Sequence, residues 1–273
     1  PEGDAPGGPA KPVPRVHSPG PRQSRELRAH STVVLKIPMT QPDTSRKLRL
    51  GAFIMATGHH VAAWRHPGSQ VDSGVNIDHY IEVAKTAERG LFDQVFVADS
   101  PGVWHKGDRE SFSRQGRISH FEPVTLWAAL AAVTRHIGFV ATASTTYEDP
   151  YLLARKFASL DHISKGRAAW NVVTTSAENV HGNFGLDTHP DPATRYERAH
   201  EFVDVVKGLW DSFDDDALVR DQASGIYFDP DKLHALNHVG KHLKVQGPLN
   251  IERSVQGHPV ICLLYTSPSP RDS

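Results

Sequence analysis

From Leu48 onward, short apolar runs alternate with helical periods. Leu48–Met55 (LRLGAFIM) predicts a buried strand. Asn76 or Asp78 can cap a helix whose apolar positions are Ile77, Ile81, Ala84, Ala87 and Leu91, with Gly90 available for a left-handed turn at its end. Gln94–Ala98 (QVFVA) predicts a second strand, and Pro123 opens a helix to Thr134 where its missing N–H costs nothing. Ile137–Ala143 predicts strand three, and Pro150–Ile163 a helix with Leu152, Leu153, Phe157 and Leu160 on one face. Ala168–Val173 predicts strand four, and Arg195–Phe213 a long helix with Phe202, Val205, Val206 and Leu209 inward. Residues 214–256 break the rhythm and read as an insertion, as does the polar stretch 100–121; His258–Ile261 begins a fifth strand. Near-continuous apolar strands separated by helices imply parallel pairing through crossovers. Periodicity alone does not separate an open doubly wound α/β sheet from a (β/α)8 barrel. No G-x-G-x-x-G turn follows the first strand, which argues against dinucleotide binding.

Both ends of the chain differ from this pattern. Residues 1–38 hold eight Pro and four Gly and no sustained apolar period, so they read as a disordered leader or as untranslated upstream sequence. They lack the apolar core of a signal peptide. Read back into codons, Cys262–Asp272 matches a transposon-type sequencing adapter translated in frame, so 262–273 is expected to be an artefact and the natural sequence to break off at about Ile261. Residues 39–261 remain as one large domain, with 23 basic and 27 acidic residues. That balance gives no electrostatic case for nucleic acid or an anionic membrane. No apolar run reaches the length of a membrane span, and Cys262 is the only cysteine, which excludes disulfides and a Cys nucleophile for 39–261. A cytoplasmic location is expected.

In either parallel architecture, functional groups gather at the C-terminal ends of strands. Those ends carry Thr57, His59, His60, Trp64, Arg65 and His66; Asp99 and Ser100; Thr142, Ser144, Thr145 and Tyr147; and Asn171, Thr174 and Ser176. Neutral hydrogen-bonding groups and histidines dominate, and paired carboxylates are missing. The set suits a planar polar heterocycle better than glycoside hydrolysis.

The segments LGAFIMATGHHVAAWRHP, GLFDQVFVAD, FEPVTLWAAL, IGFVATASTTYEDPYLLARKFASLDHIS, GRAAWNVVT and RYERAHEFVDVVKGLW carry a resemblance, in unbroken order from about Leu48 to Ile261. They resemble the flavin-dependent two-component monooxygenases of the bacterial luciferase superfamily, in the branch of nitrilotriacetate monooxygenase component A and dibenzothiophene-sulfone monooxygenase. The resemblance implies an α/β TIM-like (β/α)8 barrel, here with about five of its eight strands. It implies FMN, taken up as FMNH2 from a separate NAD(P)H:flavin reductase, and O2, which adds at flavin C4a to give a peroxyflavin that oxygenates a small organic substrate. A dimer is usual for the family. By position in matching motifs, Asp99, Thr142, Ser144 and Asn171 resemble flavin-contacting residues. Tyr196, in RYERA, resembles a tyrosine near the ribityl-phosphate end. Family members often carry a His four residues before that Tyr; Pro192 stands there, so His189 is carried over across a small insertion. The Gln-Ala-Gly-x-Ser-like phosphate segment that follows the fifth strand in the family is absent.

His59 and His60 point in opposite directions on an extended chain, so one is expected to face the flavin as a catalytic proton donor, His60 for preference. Asp99 could instead cap its own turn, and Trp64 reads as packing. His234, His238 and His242 would line one face of a helix, but Gly240 interrupts it and no metal site is expected. Glu201 and Asp204 read as surface charges. The alternatives are a deazaflavin (F420)-dependent dehydrogenase on the same barrel and a flavin-binding protein without turnover. With five strands the sheet cannot close, so the fragment itself is expected to be inactive.

Overall fold

The structure, a computed structural model, describes residues 47–103 and 108–262. The expected leader 1–38 and the tail from 263 lie outside the described residues. In chain order the elements are β1 Gly51–Phe53, α1 Ile77–Arg89, β2 Gln94–Val97, α2 Arg109–Ser113, α3 Pro123–Ala131, β3 Gly138–Ser144, α4 Pro150–Ser164, β4 Ala168–Val173, α5 Pro192–Trp210, β5 His238–Val239, β6 Lys244–Val245 and β7 Val260–Cys262.

Five strands form one parallel sheet in the order β1-β2-β3-β4-β7. Strand alternation decides the architecture. Val95, Val97, Phe139, Ala141, Ala168, Trp170 and Val172 share one core with buried residues of α1, α3, α4 and α5. A doubly wound sheet would put helices on both faces. Here the opposite face carries a different set in register: Phe53, Phe96, Val140, Ala169 and Val260, then Thr142, Asn171 and Cys262 one layer up. Helices on one face and a polar layer on the other are the arrangement of a (β/α)8 barrel wall, five of whose eight strands are described. Val140, mid-sheet, is 1% exposed, while Phe53 and Val260 at the two edges are 45% and 54% exposed.

Helices α3, α4 and α5 start where an acidic residue precedes proline. The Glu122 carboxylate accepts from the backbone N–H of Val124 and Thr125, Asp149 from Leu152 and Asp191 from Thr194; each is followed by Pro at the first helical position. The core between sheet and helices is aromatic: Trp170 packs against Phe157 of α4 and against Phe202 and Trp210 of α5. Three buried or half-buried polar side chains brace the frame. Glu88 accepts from the N–H of Arg135, His136 and Ile137 at the approach to β3. Arg167 donates to the carbonyls of Ala131, Thr134 and Ile137. Asp161 accepts from Ser254 Oγ and from the backbone N–H groups of Ala168 and Gln256.

Several expectations shift locally. The left-handed turn after α1 falls on Leu91 (φ 59°) and not on Gly90, and Leu91 is exposed because of it. Ile77 and Leu152 also lie toward solvent. The stretch 214–256 contains a two-stranded hairpin, β5–β6, which no periodicity announced because each strand has two residues. The three histidines there are not helical: His238 lies on β5 and pairs with Glu201 at 2.9 Å, and His242 lies 3.3 Å from Glu197. Glu201 is therefore no free surface charge. Its carboxylate also accepts from the backbone N–H of His242 and Leu243, and the His238 hydrogen bond and those amides hold its pKa down to about 2.

Candidate active site

A cavity of about 420 Å³ opens at the C-terminal ends of β2, β3 and β4. One wall is strand. Thr142 and Ser144 project from β3 on the face away from the helices. Thr142 Oγ1 donates to the Val97 carbonyl (2.7 Å) and accepts from Asn171 Nδ2 (3.0 Å), so β2, β3 and β4 are cross-linked by side chains at one level. Asn171 lies beside Thr142 in β4, 2% exposed, and its Oδ1 has no partner among the described residues. An unpaired buried acceptor is costly and marks a place where a donor is wanted. Ser144 Oγ accepts from Thr175 Oγ1 (2.7 Å) and from the Thr146 N–H.

Thr175 holds φ at 49°, a conformation that a β-branched residue rarely adopts and that costs about 1–3 kcal/mol. Buried Arg195, from the first turn of α5, donates to the Thr174 and Thr175 carbonyls and keeps it there. Strain held beside a cavity by a buried guanidinium is characteristic of a built site.

The other wall is loop. Asp99–Val103 after β2 faces Ile118–His120 before α3, and Tyr147 and Phe184 close the side with stacked rings 4.5 Å apart. His120 Nε2 lies 2.8 Å from Asp99 Oδ1. That hydrogen bond raises the His120 pKa, against the opposing effect of burial, so the ring carries charge above the usual histidine range. The Tyr147 hydroxyl lies 2.7 Å from His189 Nδ1. Burial pushes the phenol pKa up, and burial and the Arg195 charge push the His189 pKa down. The Tyr147 hydroxyl and His189 share that hydrogen bond, whose direction is set by the ring tautomer. His189 Nε2 is buried and has no hydrogen-bond partner among the described residues.

Of the residues singled out in the sequence, Asp99, Ser100, Thr142, Ser144 and Tyr147 line the cavity together. Asn171 reaches it through Thr142, and His189 through Tyr147. Tyr196 is half exposed on α5 and is not part of the lining. His59 and His60 also lie outside it. His59 Nε2 is bonded to the Phe53 carbonyl and its ring meets Phe53 edge-on. His60 Nδ1 accepts from Ala62 N–H within its own loop. His120 and Phe184 had escaped the sequence reading because they sit in aperiodic loop. The available signal for His120 was its place two residues before the Glu-Pro start of α3.

The family model for luciferase-like monooxygenases matches residues 53–268, and the chain belongs to this family. It is 51% identical over 220 residues to N-acetyl-S-(2-succino)cysteine monooxygenase of Bacillus subtilis (strain 168), covering 80% of this chain and 48% of that protein. It is 46% identical over 223 residues to nitrilotriacetate monooxygenase component A of Aminobacter aminovorans, covering 80% and 49%. Among solved structures it is similar to long-chain alkane monooxygenase (TM-score 0.77, 39% identity, 81% of this chain and 52% of that one). It is similar also to DmoA from Hyphomicrobium sulfonivorans (TM-score 0.74, 40% identity, 80% and 48%). The chain thus spans about half the length of the curated relatives it matches. No helix among the described residues is long and apolar enough to cross a membrane.

Proposed function

We propose that the whole protein carrying this chain is the oxygenating component of a two-component monooxygenase that takes reduced FMN from a separate flavin reductase. The observation that carries this reading is the Thr142–Asn171 pair at the strand ends, with the unpaired acceptor Asn171 Oδ1 beside a cavity. The polar set fits a flavin: an acceptor at Asn171, hydroxyls at Thr142 and Ser144 and an aromatic pair suit a planar ring edged with amide-like groups. Bound reduced FMN supplies the electrons that let O2 deliver one oxygen atom to an organic substrate.

The chain's own residues bind, orient and exclude water. Asn171 and Thr142 fix the ring edge from a wall that cannot shift without breaking the β2–β3–β4 cross-link. Tyr147 and Phe184 shield one side, and His189, kept neutral, directs Tyr147. Asp99 and His120 place a polar pair on the open side. The relatives' names cover a succinylated cysteine, nitrilotriacetate, an alkane and dimethyl sulfide, so a small organic substrate is the common reading.

The test supplies the whole protein with FMN, NAD(P)H, a flavin reductase and isotopically labelled O2 against a panel of thioethers, aminopolycarboxylates and alkanes. One labelled oxygen atom in a product is the expected result. Failure to bind FMNH2, together with no labelled product, overturns it.

A further inference from the structure

The cavity wall carries a charge pattern that bears on which redox form of the flavin it takes; this inference rests on the flavin reading above. Among the described residues the lining includes three carboxylates, Asp99, Glu122 and Glu148, and neither Lys nor Arg. Left uncompensated, such a wall would repel an anion. Two of the three are compensated away from the cavity: Glu122 is held by the N–H groups that open α3, and Glu148 by Lys156 at 3.2 Å. Asp99 has His120 as its partner, at 2.8 Å. Tyr147, the other titratable group of the lining, is hydrogen-bonded to His189, and burial pushes its pKa up, so it carries no charge.

His120 is therefore the one lining group, among the described residues, that can be positive. Its Nε2 is taken by Asp99, and its Nδ1 has no hydrogen-bond partner among the described residues. An imidazolium so tethered presents Nδ1–H as a charged donor. Oxidised flavin is neutral at its ring, whereas reduced flavin loses the N1 proton readily and binds as an anion. A charge at the ring edge is one of the few levers a protein has on flavin electronics. We propose that protonated His120, tethered to Asp99, makes this cavity favour the anionic reduced flavin over the neutral oxidised flavin. The protein then loads FMNH2 selectively and releases FMN after turnover.

The pH dependence follows. The Asp99 bond raises the His120 pKa, so the preference extends above the ordinary histidine range and is lost as pH rises through the elevated value. The side chain is 34% exposed, so solvent screens the effect and a ratio of about fivefold is expected.

The experiment measures Kd for FMN and, anaerobically, for FMNH2 on the whole protein between about pH 6 and pH 9, corrected for the ionisation of free FMNH2. His120→Gln keeps a hydrogen-bonding amide but removes the charge. It should lower the Kd(FMN)/Kd(FMNH2) ratio about fivefold at the acid end of this range, where His120 is charged, and abolish its pH dependence. The double variant His120→Gln with Asp99→Asn, which also removes the repelling carboxylate, should recover part of the ratio. Equal weakening of both forms would make His120 merely structural and overturn the inference while leaving the flavin site standing, as would a ratio unchanged by His120→Gln. Failure of wild-type protein to bind either form would overturn both.

Discussion

The two walls of the cavity are built on opposite terms. The strand wall holds its polar groups by register: Thr142 and Asn171 are a paired position of β3 and β4, both buried, and their hydrogen bonds join three strands. The loop wall holds Asp99 and His120 by their own ion pair, with both side chains partly open to water. A group fixed by register costs stability when altered, because its partners are left unsatisfied in a dry environment. A group fixed by a half-exposed pair alters affinity and pH response while the fold hardly notices. On the proposed flavin reading, the first wall would define the ring position and the second would tune charge.

Four substitutions break or sharpen this contrast. Trp170, one residue before Asn171, points into the aromatic core between sheet and helices, and Trp170→Ala should cost about 3–5 kcal/mol in chemical denaturation. Thr142→Val keeps the shape but strips the donor from the Val97 carbonyl and the acceptor from Asn171. A loss of about 2 kcal/mol is expected, together with flavin binding weakened about tenfold or more; a neutral result would show the strand wall to be as adaptable as the loop.

Asp99→Asn, on the loop wall, should cost only about 0.5 kcal/mol and lower the His120 pKa, read from its imidazole resonance by NMR. Because folding raises that pKa, the pair's stabilisation is complete below the ordinary value of 6.5 and fades as pH rises through the elevated one. Asp99→Asn should therefore flatten the alkaline limb of stability against pH. The smallest effect is expected at His60, exposed and bonded within its own loop: His60→Ala should change stability by under about 0.5 kcal/mol and flavin affinity by under about twofold. A large loss there would bring the His59–His60 loop into the site.

The contrast also explains what could be read from the sequence. The strand wall was legible because a strand's side chains alternate. Once IGFVATAS and AAWNVV are strands, Thr142, Ser144 and Asn171 must share the face opposite Phe139, Ala141 and Trp170. Helix starts were legible from Glu122-Pro123 and Asp149-Pro150 for the same local reason. The loop wall was not. Its partners are 21 residues apart for Asp99 and His120 and 42 for Tyr147 and His189, and no period spans an irregular loop. The bond from His59 to the Phe53 carbonyl was equally invisible in sequence, because it joins a loop side chain to a strand's backbone. Glu201 looked like a surface charge because its partners come from a hairpin too short to predict.

The most direct test of the central claim, that the strand wall is the flavin-binding wall, is an anaerobic titration of the whole protein with FMNH2. It compares wild type with Asn171→Leu, a swap of similar volume that removes the unpaired acceptor, with circular dichroism to establish that the variant is folded. The account predicts saturable binding to wild type and a loss of affinity of about tenfold or more in the folded variant. Undiminished binding to a folded Asn171→Leu protein would contradict it.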